Sequence, residues 1–145
     1  MQRMPRWHAR LVALSVLAPC ILVLGLAAWL KPDPSGVGTH TQLGLPACGM
    51  LISSHVPCPT CGMTTAFSLA AHGRLLASLA AQPAGAVFAL GVAAMALLSG
   101  WALLRGLDMT AWGQRLLAPS VLVSAGALVG AAWVYKILAI QGIFS

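Results

Sequence analysis

Apolar residues gather into three long runs, at residues 11–30, 83–104 and 118 to about 140. Each reaches the roughly 20 residues a helix needs to cross a bilayer at ~1.5 Å per residue. The first two runs carry no charge, and the third carries only Lys136, near its end. Between the first and second lies a different kind of segment, residues 31–82, which opens on the turn-rich Lys31-Pro32-Asp33-Pro34-Ser35-Gly36. Such clusters of Pro, Gly, Asp and Ser end regular structure. The pattern predicts an all-α integral membrane protein of one domain, 1–145, with three transmembrane helices.

Residues 61–81 are apolar enough to suggest a fourth span, but His72, Gly73 and Arg74 interrupt them. An Arg at the centre of a span costs about 2.5–3.5 kcal/mol even on lenient insertion scales. The expectation is therefore a short helix over 59–71, a break at Gly73, and an interfacial or re-entrant helix over 75–81.

Composition strengthens the membrane assignment. Hydrophobic residues make up 59% of the chain and charged residues 7%, against about 25% charged in a soluble domain. A soluble globular enzyme is excluded. The net charge of +6 raises nucleic acid as a partner, but the eight basic residues are spread singly along the chain. Nucleic-acid binders cluster such residues on one face, so the lipid bilayer is the expected partner. With the N-terminus cytoplasmic, Arg3, Arg6, Arg10, Arg105 and Arg115 fall inside, whereas Lys31, Arg74 and Lys136 fall outside. That bias follows the positive-inside rule and makes 31–82 extracytoplasmic. Trp29, Trp101, Trp112 and Trp133 lie near span ends, as interfacial anchors do.

The N-terminal run is expected to be an uncleaved anchor. Its apolar core is too long for a signal peptide, and no A-x-A site follows. Pro19 before Cys20 departs from a lipoprotein cleavage box, so Cys20 reads as a small packed residue in a helix that Pro19 bends.

Candidate chemistry concentrates in 31–82, which holds three of the four cysteines and three of the four histidines. Its centre is His55-Val56-Pro57-Cys58-Pro59-Thr60-Cys61-Gly62-Met63-Thr64-Thr65. Pro59 suits the first position of a helix, which would put Cys58 at the cap and Cys61 in the first turn. There the helix dipole and free N–H groups favour a thiolate. Three readings stay open from the residues. Cys58 and Cys61 could cycle as a redox pair, although the βαβ context of such pairs is absent. They could bind zinc or another thiolate-binding metal, with Cys48, His55 or His40 completing the ligand set. Or Cys48 could pair with Cys58 or Cys61 in a structural disulfide, closing a ring of about 11 to 14 residues worth up to ~3 kcal/mol. Thr64 and Thr65 are expected to bond back to the helix or line a polar cavity. Asp33 and Asp108 are the only acids and both lie away from the motif. Paired-carboxylate and two-metal hydrolytic chemistry are thereby excluded, and the balance leans towards a protein that is not an enzyme.

The run Cys58-Pro59-Thr60-Cys61-Gly62-Met63-Thr64-Thr65-Ala66-Phe67, followed by His72-Gly73-Arg74 and Gln82-Pro83, resembles the bacterial membrane family known as domain of unknown function 2752. Its members are similar in carrying C-P-x-C-G, a G-[DRK] step and an [NQ]-P that opens a membrane helix. The resemblance covers about residues 45–104. Thr65 stands where many members have Arg, and Arg74 where many have Asp. The resemblance implies a small multi-pass protein of a bacterial cytoplasmic membrane, and no established activity.

Small residues line two spans, Gly126 and Gly130 on the third, and Gly85, Ala89 and Ala93 on the second. Such stripes allow close helix approach, within the chain or in a homo-oligomer or larger membrane complex. Two functions compete: a metal-binding or thiol-redox protein acting at the outer face, and a structural or accessory subunit whose cysteines form a staple.

Overall fold

The computed structural model describes residues 5–141. The first helix, α1 (Arg6–Trp29), is followed by a 3-10 turn at Thr39–Leu43 and three short helices, α2 (Gly49–Ser54), α3 (Met63–Ala71) and α4 (Leu75–Ala81). Two long helices, α5 (Pro83–Arg105) and α7 (Pro119–Ile140), flank the short α6 (Thr110–Leu116). No strand occurs among the described residues. Helices α1, α5 and α7 are the three that are long and apolar enough to cross a membrane. The all-α class with three such helices is therefore as the hydropathy pattern predicts.

Local chemistry sets the ends of these helices. Pro83 occupies the first turn of α5, where its missing N–H costs nothing. Gly106 closes the same helix in the left-handed conformation at φ 65°. Pro19 lies inside α1, which continues past it. Arg3, placed on the cytoplasmic side by the charge pattern, lies outside the described residues.

Helices α1 and α5 pack antiparallel through small side chains. Ala13 and Ala102 meet beneath Met109, flanked by Val12, Met95 and Leu103. With no water to expel inside a bilayer, close backbone approach is the available source of helix adhesion. Arg6 lies beside Gly106, and Arg105 stacks over the Trp101 ring at 4.5 Å. Basic residues thus collect at the end of the bundle opposite the cysteines.

The stretch considered for a fourth span is instead the pair α3 and α4. They are separated at Gly73, which takes φ 74°. Helix α3 buries Thr65, Ala66, Ser68 and Leu69 among α1, α4 and α5. Its start differs from expectation, because the predicted helix over 59–71 begins only at Met63. Pro59 is equally suited to the second position of a β-turn, and such a turn forms, with the Cys61 N–H donating to Cys58 O at 2.9 Å. Gly62, at φ 87°, then blocks helical continuation.

The small-residue stripes behave differently from each other. On α5, a Cβ built on Gly85 would stand 2.8 Å from the Ala66 Cβ and 3.3 Å from the Met63 Cα. Gly85 therefore seats α3 rather than another span. Gly126 and Gly130 have no atom within 4 Å of that position, so their stripe packs against nothing within the described chain. Helix α7 is held mainly by side-chain hydrogen bonds near its C-terminal end. The Trp133 Nε1–H donates to Pro57 O at 2.7 Å, and the Tyr135 hydroxyl donates to Ala80 O at 3.2 Å.

The contrast along α5 is testable. Gly85→Ala should destabilise the detergent-solubilised protein by about 1–3 kcal/mol through overpacking. Gly100→Ala, which meets open space, should be neutral or slightly stabilising. Thermal unfolding followed by circular dichroism reads both, and equal effects would refute the proposed seat of α3.

Candidate metal centre

Two segments bring the three loop cysteines together. Cys48 is the residue that precedes α2, whereas Cys58 and Cys61 bracket the turn around Pro59. Their sulfurs all lie within 4.8 Å of one another. All four cysteines of the chain, Cys20 included, are free thiols. Cys61 is buried, while Cys48 and Cys58 are half-buried. The Cys58 sulfur is also 3.4 Å from the Thr60 hydroxyl. The predicted helix-cap geometry is not what organises them, because both motif cysteines precede α3.

A cavity of about 360 Å³ opens over the sulfurs, walled also by His40, Thr60, Gly62, Met63 and Thr64. His40 Nε2 lies 3.1 Å from Pro46 O. A carbonyl only accepts, so Nε2 carries the proton and Nδ1 is the nitrogen with a free lone pair. His55 is not part of this group. It caps α2 at φ 55°, ψ 15°, and is exposed. It is the one non-glycine residue with positive φ among those described, so its place is a chain reversal.

The three thiols are chemically unlike. The Leu51 backbone N–H, acting from the first turn of α2 without a full cap hydrogen bond, draws Cys48 down to about 7 despite some desolvation, with Cys58 and Cys61 adding to the effect. Burial pushes Cys61 up to about 12, reinforced by its thiol neighbours. One sulfur is thus close to ionisation at neutral pH, while another needs a cation beside it before it will ionise.

The scaffold beneath the thiols is polar and buried. Pro57 and Pro59, on either side of Cys58, have their carbonyls held by Trp133 Nε1–H at 2.7 Å and by Gln82 Nε2–H at 3.0 Å. Gln82 is fully buried, and its Oε1 has no partner. Thr65, the position where many members of the resembling family have Arg, is fully buried with its hydroxyl 2.7 Å from that of Thr39. Thr64 instead lines the thiol cavity. Gly62 is irreplaceable on two counts. Its φ of 87° disfavours any side chain, and a Cβ there would stand 2.6 Å from Gly36 O and 3.2 Å from Lys136 Nζ.

Lys136 was expected to mark the outer end of the third span. It is 5% exposed instead, and Nζ donates to Ala81 O at 2.7 Å and Gly36 O at 3.2 Å. Its long side chain returns from α7 to the backbone next to the thiols. Trp133 likewise does more than anchor, whereas Trp29, Trp101 and Trp112 are exposed as anchors should be. A lysine inside an apolar run was the sequence signal for the first of these two. Gln82 was marked only by the [NQ]-P step of the resemblance and Trp133 only as an anchor, while Thr39 carried no signal.

Residues 48–96 match the sequence model of a family described as "Protein of unknown function (DUF2752)". That segment contains all three clustered cysteines, α2 to α4 and the first part of α5. Lys136 and Trp133 lie outside it. No curated protein and no solved structure matches the chain.

The unequal thiols predict an order of reactivity. In folded protein stripped of any bound metal by a chelator, iodoacetamide should modify Cys48 with a rate that rises through pH 7 and levels off by pH 8, where about 90% is thiolate if the midpoint is about 7. Cys61, at about 12, should stay unmodified across that range. Site-resolved mass spectrometry reads both, and a Cys48 rate still climbing steeply at pH 9 would contradict the assignment.

Proposed function

We propose that this chain is a non-catalytic membrane protein that holds one thiophilic metal ion, zinc or another thiolate-binding metal, at one face of the bilayer. The supporting observation is the meeting of Cys48, Cys58 and Cys61 sulfurs within 4.8 Å. Sulfurs around zinc stand about 3.8 Å apart when each bond is ~2.3 Å and the geometry tetrahedral. The cluster is a modest contraction away from that. A metal cation would also favour ionisation of the buried Cys61 thiol, adding to the positive charge of Lys136 nearby.

His40, in the same cavity wall, is the natural fourth ligand through Nδ1 after a side-chain movement, with Pro46 O fixing the tautomer. Met63 offers a softer thioether for a copper(I)-like ion. The thiol face is extracytoplasmic in this reading, with the N-terminus cytoplasmic and Arg6, Arg10, Arg105 and Arg115 gathered at the inner end. The setting is a bacterial inner membrane, as the family resemblance implies. The unpacked Gly126 and Gly130 face suits a second copy or a larger membrane complex.

Protein purified anaerobically in detergent should carry one metal ion per chain, measured by inductively coupled plasma mass spectrometry. Each of Cys48→Ser, Cys58→Ser and Cys61→Ser should weaken binding by more than about tenfold, whereas Cys20→Ser should not. A metal-free protein whose mass shifts by two protons on reduction, with Cys48 bridged, would replace the metal reading by the structural staple. For orientation, Gln114→Cys should resist a membrane-impermeant maleimide in intact cells and react after lysis. Labelling from outside would reverse the topology.

A further inference from the structure

A second cavity, of about 530 Å³, opens on the same face as the thiols but is walled by different residues. It sits where α7 ends, between α4 and the turn after α1. Lys136 and Arg74 supply two positive charges and Asp33 one negative charge, and Leu69, Ala139 and Ile140 add an apolar wall. Lys136 has two of its three ammonium hydrogens committed to Gly36 O and Ala81 O. Neither of the two acids in the chain forms an ion pair with it among the described residues. Tying two carbonyls together needs only a neutral donor, and the one charge neighbour of Lys136 given by the structure is the buried Cys61 thiol, so no carboxylate offsets the buried ammonium. The Arg74 backbone is paired with Leu69 and Ser78, but its exposed guanidinium has no hydrogen-bond or ion-pair partner among the described residues. Asp33 is already engaged, accepting from the Ser35 N–H at 2.8 Å and the Ser35 hydroxyl at 2.6 Å.

The rim of the cavity indicates what it faces. Helix α4 follows Arg74 directly and exposes Leu76 at 84% and Leu79 at 41%. Leucines so exposed on a short helix next to a basic residue fit the acyl–headgroup boundary, not bulk water. The site thus combines a net charge of about +1, a hydrogen-bond fork from an arginine, and an apolar side.

We infer that this cavity binds the phosphodiester of a membrane phospholipid between Arg74 and Lys136, with an acyl chain running along Leu69 and Ile140. A phosphodiester carries one negative charge, which matches the net charge of the site. A dianionic phosphate would leave an excess and approach Asp33 unfavourably. Asp33 sits at the rim to accept from the donor of the headgroup, an ammonium or a hydroxyl. None of the three clustered cysteines lines this cavity, although Lys136 also neighbours Cys61, so the exposed Arg74 is the variant that reads the lipid site apart from the thiols.

Native mass spectrometry of the detergent-purified protein, titrated with phosphatidylglycerol, phosphatidylethanolamine or inorganic phosphate, tests it. A single-lipid adduct should persist in the wild type and fall by about tenfold in Arg74→Gln, the loss of one charge-assisted contact. It should be unchanged in Arg115→Gln, a basic residue outside the cavity. Lys136→Met should abolish the adduct. If that variant does not fold, the exposed Arg74 decides alone. Equal adducts in wild type and Arg74→Gln, or equal losses in Arg74→Gln and Arg115→Gln, would overturn the proposal as general lipid adhesion. Displacement of the lipid by millimolar inorganic phosphate would reassign the cavity to a soluble anion and overturn it also.

Discussion

Non-helical backbone cannot remain unpaired beside hydrocarbon, and that constraint organises this molecule. Between α1 and α3 the chain has about thirty residues with little regular structure, attached to the ends of three membrane-length helices. An unsatisfied carbonyl or N–H there costs several kcal/mol. The buried polar side chains are the response. Ser68 donates to Leu30 O at 2.6 Å, closing the end of α1. Ser78 donates to Ala66 O at 2.7 Å across α3 and α4. Thr39, also buried, accepts from the Asp33 N–H, and at the exposed margin Gln42 accepts from and donates to the Lys31 backbone. Lys136, Trp133 and Gln82 bind carbonyls in the same region from the spans themselves.

These bonds also place the thiols. Cys58 lies between two carbonyls that are held from α7 and from the start of α5, and Gly62 is pressed against Gly36 and Lys136. The Cys58–Cys61 turn is thus fixed from three sides, and Cys48 is delivered by α2. Such pre-organisation lets soft ligands meet without a large local rearrangement. Only Gln82 Oε1 is left without a partner among buried side-chain atoms described. An orphan acceptor beside the thiol loop fits a bound water or ligand donor.

Much of the fold was legible because it follows from one-dimensional rules. Runs of twenty apolar residues, Gln82-Pro83 opening α5, and Gly73 breaking the apolar stretch 61–81 act locally. The candidate site was legible in its composition, since Cys48, Cys58 and Cys61 stood out as residues that no secondary-structure rule requires. Its geometry was less so. Pro59 is compatible with a helix start and with a turn, and only the left-handed Gly62 and its crowded surroundings select the turn. By spacing His55, three residues before Cys58, is the favoured histidine ligand, ahead of His40. They differ because one reverses the chain while the other faces the thiol cavity.

What the sequence determined by itself was the class of solvent, the number of membrane-length helices and the segment that carries chemistry, because each depends on residues near one another in the chain. Tertiary structure decided which polar groups share a pocket. Lys136 approaches Gly36 from 100 positions away, and Trp133 reaches Pro57 across 76. No periodicity records such pairings. They are set by which buried carbonyls lack a partner once the helices have packed.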